Sequence, residues 1–282
     1  METAAPSLLP DDTLPARSVT GQRALRWSSA GLMAVTWLSA GIFGAYILSY
    51  YGLAAPLGRL SDWNKKLPDL YDAATPLATL GIGLHFIAGA ALLLLGPLQF
   101  FARIRVRTPA VHRWVGRVYA GAALVAGVGG LAYIAGHGTI GGAPMSVGFG
   151  LYGALVALSA AQTLRYGYAR RFDLHRAWAI RLYALAIGSW LYRMDYGFWL
   201  LFANGRGHTR HFTGRFDFVM DFFFYLPNLV VAELAIRARP RSMGAPARIG
   251  ASVVVSIATA FVLLATYFFA RYEWLPAIVR RA

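Results

Sequence analysis

Residues 85–119 read HFIAGAALLLLGPLQFFARIRVRTPAVHRWVGRVY. An apolar run ends at Phe101, a connector carries Arg103, Arg105, Arg107, Arg113 and Arg117, and a second apolar run opens at Val115. Apolar, basic, apolar at this length is the pattern of a helical hairpin that crosses a bilayer twice and turns on the cytoplasmic side. Outward from this hairpin, further apolar blocks fall at 27–51, 147–164, 178–202, 216–236 and 251–270, beside 80–101 and 115–135 within it. Each block is close to the ~20 residues a helix needs to cross a hydrocarbon core. Composition agrees: 57% of residues are hydrophobic and 14% charged, and mean hydropathy is +0.50. A soluble domain carries roughly 25% charged residues. No block alternates as barrel strands do, and helices satisfy their own backbone groups in lipid. The sequence predicts an all-α polytopic membrane protein with seven transmembrane helices.

A net charge of +15 would suggest nucleic acid in a soluble chain, but its distribution argues against that partner. Seventeen Lys and Arg lie at the ends assigned to the cytoplasm and nine at the opposite ends. The positive-inside rule then predicts a bacterial cytoplasmic (inner) membrane protein with its N-terminus inside and its C-terminus outside. Basic ends also attract anionic lipid, so the bilayer and its anionic lipids are the expected partners, with a homo-oligomer or membrane-complex partner left open. Residues 1–24 are polar and Pro-punctuated and read as a disordered cytoplasmic tail. Residues 25–282 read as one transmembrane domain whose first block serves as a signal anchor. The absence of Cys excludes disulfides, thiolate catalysis and Cys-ligated iron–sulfur clusters.

The hairpin recurs. Ala91, Leu92, Leu95, Gln99, Arg107, His112 and Arg113 match Ala154, Leu155, Leu158, Gln162, Arg170, His175 and Arg176 at one constant offset. After one inserted residue, Arg117 and Tyr119 match Arg181 and Tyr183. The internal repeat therefore covers 85–125 and 148–189. It predicts a four-helix core built from two repeated helical hairpins, with His112 and His175 facing each other near the cytoplasmic side. Repeats of this kind place sites at their interface. The first and last blocks stand outside the repeat and should flank the core.

The hairpin sequence, followed by LHRAWAIRLYALAIGSWLYR at 174–193 and the PNLVVAE segment of the sixth block, resembles the bacterial membrane-protein family labelled domain of unknown function 2306. The likeness covers about residues 80–236. It implies a multi-span membrane protein and carries no established activity. A His-Arg pair opening a membrane helix is also similar to the b-type transmembrane cytochromes, which implies haem held by His residues of a four-helix core.

Several polar residues are candidate site residues on their own chemistry. His112 and His175 match in depth, about 20–22 Å inward of their span midpoints, and could hold haem b or protonate a quinone beside Arg117 and Arg181. That depth is headgroup territory, so lipid anchoring is the plain alternative. His85 lies about 8 Å outward of its span midpoint and is properly intramembrane. Arg193 and Asp221 sit at nearly one depth on consecutive spans and predict an ion pair. Gln99 and Gln162 occupy equivalent places and suit interhelical hydrogen bonds. Pro227 interrupts the sixth span beside Asn228, while Glu233 precedes Arg237 by one helical turn. His208 and His211 read as part of a solvated loop, so no metal site is assigned. Redox handling of a quinone or haem b at the paired His is the leading expectation. A small-solute or proton-coupled transporter using Arg193, Asp221 and Asn228 is the alternative, and a non-catalytic subunit of a membrane complex is the third.

Overall fold

The computed structural model describes residues 16–237 and 244–279. The helices are α1 (Ala16–Ile47), α2 (Pro76–Leu95), α3 (Ala102–Arg107), α4 (Pro109–His137), α5 (Gly142–Tyr168), α6 (Phe172–Ala186), α7 (Gly188–Ala203), α8 (Arg215–Phe223), α9 (Leu226–Arg237), α10 (Ala245–Phe269) and α11 (Leu275–Val279). No strand occurs among the described residues. The polar tail was expected to reach residue 24, yet α1 begins at Ala16. The reason is local: Pro15 is the last proline before Pro56, so nothing interrupts a helix between them. Residues 1–15, and with them most of the expected tail, lie outside the described residues, as do Arg239, Arg241, Arg280 and Arg281.

Among the described residues six helices are long and apolar enough to cross a membrane: Gly21–Gly52, Pro76–Phe100, Pro109–His137, Gly142–Tyr168, Arg215–Arg237 and Ala245–Val279. The block expected at 178–202 is not among them. Its residues belong to α6 and α7, which meet at a turn at Ile187 and carry Asp173, Arg176, Arg181, Arg193 and Asp195. The break and the charge load keep either half from qualifying by length and hydropathy. Helix α6 nevertheless packs along α5, and the loop after α7 returns to the other end of α5. It starts at the tight turn after Tyr168, Tyr152 donates to the Leu185 carbonyl at 2.9 Å, and the loop after α7 brings Phe212 against Gly141 at the far end of α5.

Helix α1 starts at what is here termed the proximal face and ends at the distal face. Helix α2 returns antiparallel to it, with Trp37 donating to the Leu94 carbonyl near one end and Tyr51 packing on Phe86 near the other. Glycines set the closest approaches. A Cβ on Gly129 would lie 2.5 Å from the Gly81 carbonyl oxygen of α2, and one on Gly127 would lie 2.9 Å from the Gly153 oxygen of α5. Helix α4 is thus clamped between two neighbours through different glycines, the small-residue packing that membrane helices use in place of a hydrophobic drive. Helix α10 runs along α1, touching it at Gly21 near the proximal face and at Phe43 through Trp274 near the distal one.

Two buried clusters result. One gathers α1, α2, α7, α10 and the distal connection around Phe43, Trp63, Trp190 and Trp274; the other gathers α4, α5, α6, α8 and the α8–α9 turn around Tyr119, Tyr152, Leu185 and Tyr225. Val128, Val147, Val254 and Leu77 point outward and stay exposed, as side chains do that face lipid.

Candidate functional site

Between the two clusters lies a cavity of about 630 Å³. Ligand pockets typically enclose roughly 300–1,000 Å³. Its walls come from α1, α2, α4, α5, α7 and the distal end of α10. Most of the lining is apolar or aromatic, with Phe43, Tyr46, Tyr51, Phe86, Tyr152 and Trp274 prominent. Polar lining groups away from the distal connection include His85 of α2, Arg193 and Ser189 of α7 and the Tyr152 hydroxyl. Lys66, His137, His211 and Glu273 also line it, and the Lys66–Glu273 ion pair stands on the exposed distal side.

The His85 ring is held in one orientation. Its Nδ1 lies 2.7 Å from the Ala126 carbonyl oxygen of α4, and Gly130, one turn further, faces the ring. A carbonyl only accepts, so Nδ1 carries the hydrogen and donates. In the neutral ring Nε2 is then the acceptor, left to a ligand. A Cβ on Gly130 would lie 3.2 Å from Nδ1, so the glycine makes the niche for the imidazole.

Arg193 of α7 is a cation without an acidic partner among the described residues. Its Nη1 donates to the Ser189 carbonyl at 2.9 Å, and its guanidinium lies 5.0 Å from the Phe43 ring centroid. The expected ion pair with Asp221 does not form. Asp221 lies on α8 against Gly148 of α5, whereas Arg193 turns across α7 toward α1. Matching depth on consecutive helices fixed one coordinate, and the two side chains leave their helices in different directions. A charged side chain at a membrane helix centre costs about 2.5–3.5 kcal/mol on insertion scales. One carbonyl and one ring face offset part of that cost and leave N–H donors turned to the cavity.

The paired histidines are elsewhere. His112 and His175 lie within electrostatic range of each other near the proximal face, outside the cavity lining. His175 Nδ1 bonds the Thr163 carbonyl oxygen at 2.8 Å beside Gly167, the same device that holds His85. His112 Nδ1 is buried without a partner. A haem b between them would have to sit outside the cavity. Among the described residues no group of three or more His, Cys, Asp or Glu could hold a metal ion.

The remaining expected residues disperse. Arg117 lies over the Tyr168 ring at 5.5 Å. Arg181 bonds Glu233 at 2.5 Å, tying α6 to α9, and Arg237 approaches the same carboxylate at 3.7 Å. Asn228 donates to the Phe224 carbonyl at 2.9 Å. Gln99 rests against Gly116, and the Gln162 carbonyl oxygen is buried without a partner. The repeat-equivalent Tyr119 and Tyr183 both abut Gly96.

Sequence reasoning missed the walls. The first and last blocks were expected only to flank the core, yet they supply Phe43, Tyr46, Tyr51, Phe269, Glu273 and Trp274 to the cavity. Both supply these partly through five-residue π-helical turns, Leu48–Gly52 at the end of α1 and Ala270–Trp274 after α10. Such turns recur at functional sites because they rotate side chains out of the α register. In sequence the clustered tyrosines at 46–51 look like an interfacial aromatic belt, so no signal separated them from ordinary anchors.

No curated protein and no solved structure matches the chain. The family described as "Predicted membrane protein (DUF2306)" matches residues 82–236, more than half of the chain and most of the helices around the cavity, and the chain belongs to that family.

Proposed function

We propose that this protein binds a lipid-like amphiphile in the cavity between its two buried clusters, with an anionic head group on Arg193 and its apolar portion along the aromatic walls. The observation that carries this reading is an unpaired guanidinium lining an otherwise largely apolar, membrane-depth cavity. A planar guanidinium matches carboxylate and phosphate oxygens in bidentate geometry. Arg193 makes no ion pair among the described residues, and of the carboxylates that line the cavity, Asp69 and Glu273, the latter is already bridged to Lys66; a docked head group would give the guanidinium its partner.

We read α6 and α7 as one bent seventh crossing, because α6 packs along α5 from the turn after Tyr168 and the loop after α7 brings Phe212 to Gly141 at the other end of α5. With the positive-inside bias of the charges, this reading has the proximal face in the cytoplasm of a bacterial inner-membrane protein and the cavity in the outer half of the bilayer. The two helical hairpins of the repeat then form the inner part of the bundle, and the first and last spans close the cavity.

The test is binding to the purified full-length protein in detergent, using oleate and dodecyl phosphate as anionic probes and decylubiquinone as a neutral one. Saturable binding of an anionic probe is expected, with Arg193→Ala weakening it by about 10–100-fold, the worth of a charge-assisted hydrogen bond. Equal affinity in both proteins would remove Arg193 from the site and the reading with it.

A second reading, quinol binding, is favoured by one specific feature: His85 Nε2 is an acceptor on a cavity where Arg193 is a donor. A quinol fits that pair by donating one hydroxyl to His85 and accepting from Arg193 at the oxygen of the other. It moves the redox expectation from His112 and His175 to His85. Preferential binding of decylubiquinol, lost in His85→Leu, is the outcome that selects it over the anionic head group.

A further inference from the structure

We infer that Asp221 is the centre of a monovalent-cation site, with sodium the fitting ion, at the junction where two broken helices meet behind the cavity wall. Helix α8 buries two carboxylates one turn apart, Asp217 at 0% exposure and Asp221 at 1%. Asp217 is fully engaged. It accepts from the Tyr196 hydroxyl at 2.7 Å, from His208 Nδ1 at 2.6 Å, and from the backbone N–H groups of Thr209 and Gly214 at 3.0 and 2.8 Å. Asp221 has no such donors, and its Oδ1 is buried without a partner. Leaving a buried carboxylate uncompensated is among the costlier faults a fold can carry.

Its surroundings are rich in oxygen, and no cationic side chain bonds it among the described residues. The Tyr225 hydroxyl is also buried without a partner and lies in electrostatic range of Asp221; the Tyr192 hydroxyl is in the same range, with the Tyr196 hydroxyl beside it. Tyr225 itself is 0% exposed. Here the α6–α7 break at Ile187 adjoins the α8–α9 break at Phe224–Tyr225: a Cβ on Gly188 would lie 3.2 Å from the Phe224 carbonyl oxygen. Pro227 offers no N–H to the Phe223 carbonyl four residues back. Interrupted membrane helices whose loosened carbonyls face a buried acid are how transporter folds coordinate sodium or protons.

The donor set selects the ion. One carboxylate with neutral hydroxyls and carbonyls balances a single positive charge, whereas divalent calcium or magnesium favours several carboxylates or retained water. Among the described residues no cluster of three or more His, Cys, Asp or Glu surrounds Asp221, as a transition-metal site would favour. The inference is independent of the amphiphile reading, since Asp221 does not line the cavity.

The experiment is a melting curve of the purified full-length protein in detergent, followed by its tryptophan fluorescence. Sodium chloride is compared with choline chloride at equal ionic strength and fixed pH. Binding to the folded state alone should raise the melting temperature by about 3 °C at saturating sodium. Asp221→Asn should abolish the rise. Tyr225→Phe, which removes one hydroxyl and keeps the ring packing, should at least halve it and decides the matter should Asp221→Asn not fold. Identical curves in the two salts for the native protein overturn the inference. So does a sodium-dependent rise that Tyr225→Phe leaves at its full size.

Discussion

An imidazole can enter a helix–helix seam where a glycine one turn beyond a carbonyl withholds its Cβ. The fold uses this twice, at His85 with Ala126 and Gly130 and at His175 with Thr163 and Gly167. The consequence is chemical as well as steric, because fixing Nδ1 as donor fixes what Nε2 can do. Gly130→Ala tests the device. Alanine gains up to about 1 kcal/mol of helix propensity, and the displaced hydrogen bond gives back about as much, so the melting temperature should stay within about 3 °C. Ligand affinity in the cavity should fall several-fold, read in the same titration as Arg193→Ala. Unchanged affinity would mean that His85 is only a packing residue. At this scale the sequence was legible in part. His85 and Arg193 stood out because polar groups are rare at that depth. Their meeting in one cavity, and the separation of Arg193 from Asp221, were not legible, since hydropathy reports depth along a helix and says nothing of the direction in which a side chain leaves it.

Elements meet in this bundle through their smallest residues. The oxygen of Gly81 and the α-carbon of Gly129 approach so closely that any side chain at residue 129 must push α2 away from α4. Gly129→Ala should therefore destabilise the protein by about 1–3 kcal/mol, the usual cost of overpacking, and lower the melting temperature accordingly. Gly121→Ala is the matched contrast. It lies on the same helix with nothing within 4 Å of an added Cβ, so propensity alone should make it neutral or slightly stabilising. Equal losses in the two variants would show that glycine content, rather than the seam, sets stability. In sequence Gly127, Gly129 and Gly130 stand within one apolar block, where small residues let membrane helices approach, but nothing there says which neighbour each one faces. The π-helical turns were less legible still. LSYYG and ARYEW contain no local mark of a register change, which arises from packing α1 and α10 against each other and against the distal connection.

The molecule as a whole follows from where its charges can reside. Six helices cross by length and hydropathy, and the bent pair α6–α7 carries the polar groups that a plain lipid-facing helix cannot: Arg193 toward the cavity and Arg181 toward Glu233. Surrounding helices make such a broken, charged segment tolerable by giving its groups partners away from lipid. The apolar blocks and their basic ends made the bundle readable from sequence, because bilayer thickness and the positive-inside bias act on every span alike. The cavity was not readable, because it is the space left between two clusters that no single span determines. If the pair crosses, the two faces alternate along the chain. Reporter fusions then give a definite pattern: alkaline phosphatase, active only outside the cytoplasm, should work when joined after Ala203 or Val279. Green fluorescent protein, which matures in the cytoplasm, should glow when joined after Tyr168 or Arg237. Fluorescence after Ala203 with an inactive phosphatase there would make α6–α7 a re-entrant pair. That result would put the loop bearing His208 and His211 on the cytoplasmic side, and it would conflict with the contact between Phe212 and Gly141 at the far end of α5.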